Sequence, residues 1–163
     1  MSTTVAKARC RCGKVVLEMG TRPILATSCH CSDCQQAGRV LATLPRAEPI
    51  LDDSGGIPYV LFRKDSVRCA GGREHLREHR LNPGSPTRRV VAVCCNSLMF
   101  LDFTKGHWLS VCRDRIADTR SIEQAPVQNR QSAMFVLRLI AAWIRMGFHS
   151  PKIEFVEGRL DDV

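Results

Sequence analysis

Up to about residue 112 the chain alternates between short apolar runs and clusters of turn-forming residues. Residues 14–19, 59–62, 67–69, 89–93 and 98–103 are rich in β-branched or large apolar side chains. Between them stand Asp53-Ser54-Gly55-Gly56, Gly71-Gly72 and Asn82-Pro83-Gly84. Runs of that length, bounded by turn chemistry, predict strands joined by hairpins and therefore antiparallel sheet. Residues 73–80 alternate charge and bulk in a way that fits either a charged helical turn or a strand.

The pattern changes after Pro126. From Asn129, an N-cap residue type, to Gly147, a C-terminal stop, the periodicity predicts a helix with Gln131, Arg138 and Arg145 on one polar stripe. Met134, Leu137, Ala141, Ile144 and Phe148 line one apolar side, with Phe135, Leu139 and Trp143 beyond it. That band is wider than one packing contact needs, so the helix is expected to dock on the sheet and to offer the excess to a homodimer contact or an amphipathic surface. The longest apolar stretch, residues 134–144, is interrupted by Arg138 and too short to span a bilayer. With 163 residues, 44% of them hydrophobic, the chain can bury one ordinary core. Residues 1–125 are expected to form the main domain and residues 126–163 a helical extension packed on it.

Nine cysteines add chemistry to this outline. They cluster as Cys10-Arg11-Cys12, Cys29-His30-Cys31-Ser32-Asp33-Cys34 and Cys94-Cys95. Cysteines two apart on an extended strand share a face about 7 Å apart at the backbone, within reach of one ion at about 2.3 Å per sulfur. Cys31 and Cys34 suit a tight turn around a metal. If Cys10 and Cys12 take Cys94 and Cys95 as long-range partners, a closed four-sulfur structural zinc site results. Cys29, Cys31 and Cys34 then form a set of three, the number usual for zinc that keeps a position open. One zinc with the other cysteines idle is the plainer arrangement. The N-terminal segment lacks the apolar core of a signal peptide, so a reducing, cytoplasmic setting is expected rather than disulfides. His30 is expected to point to the surface, Asp33 to cap backbone amides, and Cys69 and Cys112 to be buried, inert thiols.

The order Cys-x-Cys-Gly at Cys10 to Gly13, Cys-His-Cys-x-x-Cys at Cys29 to Cys34, and an aspartate–glycine turn at Asp52 to Gly56 resembles the glutathione-dependent formaldehyde-activating enzyme and centromere protein V family, over about Arg9 to Phe103. The resemblance implies a β-tent, a mainly β fold of stacked small antiparallel sheets bound by zinc, with residues 73–80 on a strand. It also implies carbon-sulfur lyase chemistry on a glutathione–formaldehyde adduct. The family pattern ends Cys-x-x-Cys-Gly, whereas this chain has Cys94-Cys95-Asn96-Ser97. Cys95 aligns with the second family cysteine and Ala92 with the first, so Cys94 must substitute from two residues along. Adjacent strand residues face opposite sides, and a bend is needed for both sulfurs to reach one metal. This marks a divergent double-cysteine branch.

Charge separates two functional classes. With 24 Lys and Arg against 16 Asp and Glu, the net charge is +8, which suits a dicarboxylate such as glutathione. The arginines, Arg88 and Arg89 among them, are dispersed as on a solvated surface, without a helix-turn-helix, a finger or an aromatic-studded strand, so nucleic acid is disfavoured. A zinc-dependent lyase is one reading, in which no general base stands out and three thiolates weaken the metal as a Lewis acid. The other is a non-catalytic, zinc-stabilised module that binds protein or nucleic acid through its basic face and C-terminal helix.

Overall fold

A computed structural model describes residues 4–162. Nine strands make two antiparallel sheets among these residues. β1 (Ala6–Arg9), β2 (Val16–Met19) and β5 (Val67–Gly71) form a three-stranded sheet in the order β1-β2-β5. β3 (Leu25–Cys29), β4 (Ile57–Arg63), β6 (Leu76–His79), β7 (Thr87–Ala92), β8 (Ser97–Phe103) and β9 (Trp108–Cys112) form a six-stranded sheet in the order β3-β4-β9-β8-β7-β6. The mainly β architecture is as expected. Residues 73–80 split into a short 3₁₀ turn, Arg73–His75, and strand β6.

Each face of the larger sheet has its own core. Ala8, Leu17 and Met19 of the small sheet pack with Val60, Phe62, Phe100, Leu109 and Val111 of the large one. The opposite face presents Leu25, Tyr59, Leu61 and Cys112 to Cys34, Leu41, Phe135 and Leu139 from two helices. Strand alternation serves both cores, since successive side chains point to opposite faces. A register shift between β7 and β8 pairs Val90 with Phe100 but Val91 with Leu98. Met99 is the extra residue of this bulge, and it joins Phe100 in the first core.

Helix α1 (Ser32–Ala42) and strands β1, β3 and β9 were not expected from the pattern. α1 buries Cys34, Ala37, Gly38 and Leu41, a stripe at helical spacing in which two of four positions are Ala and Gly. Gly38 makes room there for the Leu51 side chain, whose Cδ2 would lie 2.7 Å from a Cβ at this position. α2 is a single turn, Arg120–Glu123. The C-terminal helix α3 runs Ala133–Arg145 and starts later than Asn129 predicted: Ser132 Oγ accepts from the Phe135 amide at 3.2 Å, whereas Asn129 caps the preceding turn. Gly147, at φ 62°, follows its end as expected. The packed stripe is Phe135, Leu139, Ala142 and Met146, while Met134, Leu137, Ala141, Ile144 and Phe148 are exposed, the reverse of the expected priority. Trp143 stacks on His107, ring centroids 5.6 Å apart. None of the helices is long and apolar enough to cross a membrane among the described residues.

The arginines expected on a solvated surface are partly interior: Arg88 is 9% and Arg89 2% exposed. Arg88 joins a buried ion cluster, with Nε 2.8 Å from Asp102 Oδ2, Nη1 3.1 Å from Glu78 Oε2 and Nη2 2.7 Å from the Ile153 carbonyl. Lys64 Nζ lies 2.7 Å from Asp102 Oδ1. Asp102 therefore compensates two buried cations, and Arg88 ties the sheet to the C-terminal segment. Asp102→Ala leaves both without their shared anion and is expected to cost about 3–5 kcal/mol in urea denaturation. A loss under about 1 kcal/mol, the level of an ordinary substitution, would refute this role.

Candidate functional site

The first sulfur cluster forms where two hairpins meet. Cys10-Arg11-Cys12-Gly13 is a turn between β1 and β2 rather than the extended strand expected, because the Cys10 amide bonds the Val15 carbonyl and the Gly13 amide closes on the Cys10 carbonyl at 2.9 Å. Cys94 and Cys95 lie in the turn over residues 93–96 that joins β7 to β8, which supplies the required bend. Asn96 sits at φ 51° in that turn, a left-handed conformation that Asn tolerates better than other side chains, at the place where the resembled family has glycine. Cys10 Sγ is 3.6 Å from Cys12 Sγ and 3.8 Å from Cys94 Sγ, and Cys12 and Cys94 sulfurs are 3.3 Å apart. Cys95 completes the group, all four sulfurs lying within 4.8 Å of one another. Tetrahedral zinc with 2.3 Å bonds spaces its sulfurs by about 3.8 Å, so this donor set fits the ion. Burial opposes ionisation of Cys95, but the hydrogen bond to Ser97 and contacts with Cys12 outweigh it and lower its pKa to about 6. Burial pushes the Cys10 and Cys94 thiols up.

The second cluster spans the junction of β3 and α1. Cys29 ends the strand, Cys31 is the N-cap of the helix, and Cys34 stands in its first turn. Cys29 and Cys31 sulfurs are 3.4 Å apart, Cys31 Sγ accepts from the Cys34 amide at 3.4 Å, and all three sulfurs lie within 4.8 Å. A helix N-terminus favours negative charge beside it. A cation arrives from far along the chain: Arg130 Nη1 donates to Cys29 Sγ at 2.6 Å. It is placed there because residues 126–128 add to the edge of β3, the Ala26 amide donating to the Pro126 carbonyl at 3.0 Å and the Gln128 amide to the Ala26 carbonyl at 2.9 Å. The Cys34 hydrogen bond, then the Cys31 amide and Arg130, bring the Cys29 pKa down to about 4 against its burial, while Cys34 is pushed far up by its hydrogen bond to Cys29 and by burial.

Cys31 and Cys34 form one wall of a cavity of about 380 Å³. Its floor is a row across the larger sheet, because Leu61 pairs with Ser110, Ser110 with Leu101, and Leu101 with Arg89. Thr27 and Tyr59, themselves paired, extend the floor, and Phe103, Trp108, Arg130 and Phe135 surround it. Tyr59 Oη, Thr27 Oγ1 and Arg89 Nε are buried there without hydrogen-bond partners. Burial holds the Tyr59 phenol well above its usual pKa, so it is a donor and not a base.

His30 faces away from the sulfurs and meets Ser54 Oγ at 2.8 Å, as expected for a surface position. Asp33 is exposed at the cavity wall and caps no amide among the described residues; Cys31 takes that place. Asp52, in the turn before β4, accepts from the Ser54 and Gly56 amides. Cys69 and Cys112 lie apart from both clusters. Sequence reasoning missed Arg130, Tyr59 and Arg89. An arginine at an inward-facing position of an apolar strand was the available signal for Arg89; for Arg130 there was none, since no local pattern reports an edge pairing 101 residues away.

Residues 5–46 match the model of the family described as Glutathione-dependent formaldehyde-activating enzyme. The match contains Cys10, Cys12, Cys29, Cys31 and Cys34, the residues that also carry the resemblance seen in the sequence. A crystal structure of a Rhodobacter sphaeroides protein is similar at a TM-score of 0.50 and 16% identity, covering 75% of this chain and 99% of that one, a likeness of fold. No curated protein matches the chain.

Arg130 has a measurable signature. A thiolate whose pKa falls from 9.0 to about 4 stabilises the folded chain fully above pH 9, and this contribution fades as the pH drops toward 4. In metal-free protein, Arg130→Met is expected to move the most acidic step of the thiolate ultraviolet absorbance to higher pH. An unchanged midpoint would remove Arg130 from this role.

Proposed function

We propose that the chain is a zinc-binding protein with one structural and one reactive site, the reactive one serving carbon-sulfur bond chemistry on a small thiol such as glutathione, of the kind that joins or separates it and formaldehyde. The observation that carries this reading is the position of the three-sulfur cluster on the wall of a cavity. Zinc held by three thiolates would supply a polarising centre with one position left for a ligand. Arg130 offsets the negative charge of the thiolates, which would otherwise blunt that polarising power. Tyr59 donates a hydrogen bond into the cavity, and Asp33, the acidic side chain of the lining, is in place to exchange a proton with a bound thiol. Phe103, Trp108 and Phe135 give the cavity an apolar rim beside the reacting groups.

The four-sulfur group is the structural member of the pair. It joins turns 82 to 84 residues apart in sequence, so metal binding there becomes folding free energy. Cys12→Ser is expected to lower the melting temperature sharply or to yield insoluble protein; a soluble variant that melts with the wild type would argue against a structural metal.

The reactive group is tested by cobalt substitution. Adding glutathione to the cobalt-loaded chain is expected to shift the thiolate-to-cobalt absorption, and Cys31→Ser is expected to lose that response while remaining folded. A spectrum indifferent to millimolar-scale glutathione would favour the non-catalytic binding module instead.

A further inference from the structure

The cavity holds one charged group that thiol chemistry leaves unused. Arg89 is 2% exposed and among the largest fully buried side chains, yet its Nε has no hydrogen-bond partner. No carboxylate among the described residues lies within ion-pair distance of it. Its neighbour in sequence, Arg88, points to the other face of the sheet and is matched by Asp102, Glu78 and a carbonyl. The chain thus compensates one buried arginine with its own anions and leaves the adjacent one facing a cavity. A guanidinium keeps its charge, and burying it without an anion is strongly unfavourable. Two further unpartnered groups, Tyr59 Oη and Thr27 Oγ1, line the same space. Across the β6–β7 pair from Arg89 stands His79, both of whose ring nitrogens also lack partners. Burial, reinforced by the charge of Arg89, holds its pKa down against the pull of Asp161, so His79 adds no second positive charge there near pH 7, and an imidazole is not an anion in either state.

We propose that Arg89 is the anion-recognition residue of this cavity: it pairs with a carboxylate of a small molecule whose other end reaches the Cys29, Cys31 and Cys34 cluster. The inference rests on the reading above only for the thiol end of that molecule. Tyr59 and Thr27 hydroxyls add hydrogen bonds to the same ligand, and Leu61, Leu101 and Trp108 contact its apolar stem. A volume of about 380 Å³ suits a ligand of small-molecule size. A thiol without a carboxylate leaves Arg89 unpaired and is discriminated against for that reason, as polar sites reject analogues that lack the matching group.

The test uses the zinc-loaded full chain and isothermal titration calorimetry. S-methylglutathione keeps both carboxylates and has no free thiol, and cysteamine has the thiol and no carboxylate. Wild-type protein is expected to bind S-methylglutathione, and Arg89→Met to bind it about 10- to 100-fold more weakly, the range for losing a hydrogen bond to a charged group. Arg89→Lys should recover part of the loss, and Tyr59→Phe should weaken binding by a smaller factor. Cysteamine affinity should be the same in wild type and Arg89→Met. Because the variant removes an unpaired buried charge, Arg89→Met should melt no lower than the wild type. Equal affinity of wild type and Arg89→Met for S-methylglutathione would overturn the proposal, as would no binding by the wild type. So would a collapse of Arg89→Met folding, which would make the arginine structural. Arg89-dependent binding of S-methylglutathione beside a cobalt spectrum indifferent to glutathione would uphold the anion site and discard the thiol reading.

Discussion

Sulfur atoms held within 4.8 Å of one another cannot all ionise unless positive charge is supplied, and the chain carries two such groups. Each resolves the conflict in the same way, by splitting its thiols. In one, Cys29 is ionised at mild acidity while Cys34 is held protonated; in the other, Cys95 ionises readily while Cys94 does not. A divalent cation would replace the shared protons and let every thiolate form. The surrounding structure supplies lesser compensation: the amide end of α1 and Arg130 at the group of three, backbone and Ser97 at the group of four.

The difference between the two groups lies in what encloses them. The four sulfurs come from two hairpin turns of different sheets, so a metal held among them would fix the small sheet against the large one. The three sulfurs come from one local strand-to-helix junction, which needs no metal to close the chain and opens onto a cavity. In the proposed function, that local origin is what would leave the second group available for chemistry, because it is not a long-range staple. The C-terminal segment then finishes the site by pairing with the β3 edge and bringing Arg130 and Phe135 over it.

Strand alternation gives the two faces of the larger sheet different electrostatics. Arg88 and Lys64 are matched by Asp102 within the structural core, and Arg89, one residue on, lies in the cavity with the unpartnered Tyr59 and Thr27 hydroxyls. Natural chains keep such locally unfavourable groups where a ligand completes them.

The sequence by itself determined the antiparallel sheets, the cysteine grouping and the C-terminal helix, because strand runs, turn residues and metal-ligand spacings are local and leave local marks. It also carried the resemblance to the formaldehyde-activating family through residues that lie close together in the chain. α1 was hidden because its buried stripe is built partly from Ala37 and Gly38, small residues that give little hydrophobic signal yet allow Leu51 to approach. The helix start was misplaced because Asn129 and Ser132 are both capping residues, and only the turn before α3 decides between them. Tertiary structure alone decided that a turn at residues 93–96 supplies the bend between Cys94 and Cys95, that Arg130 meets Cys29, and that Arg88 and Arg89 are interior. The last two depend on pairings between distant segments, whose register and edge contacts no window of sequence contains.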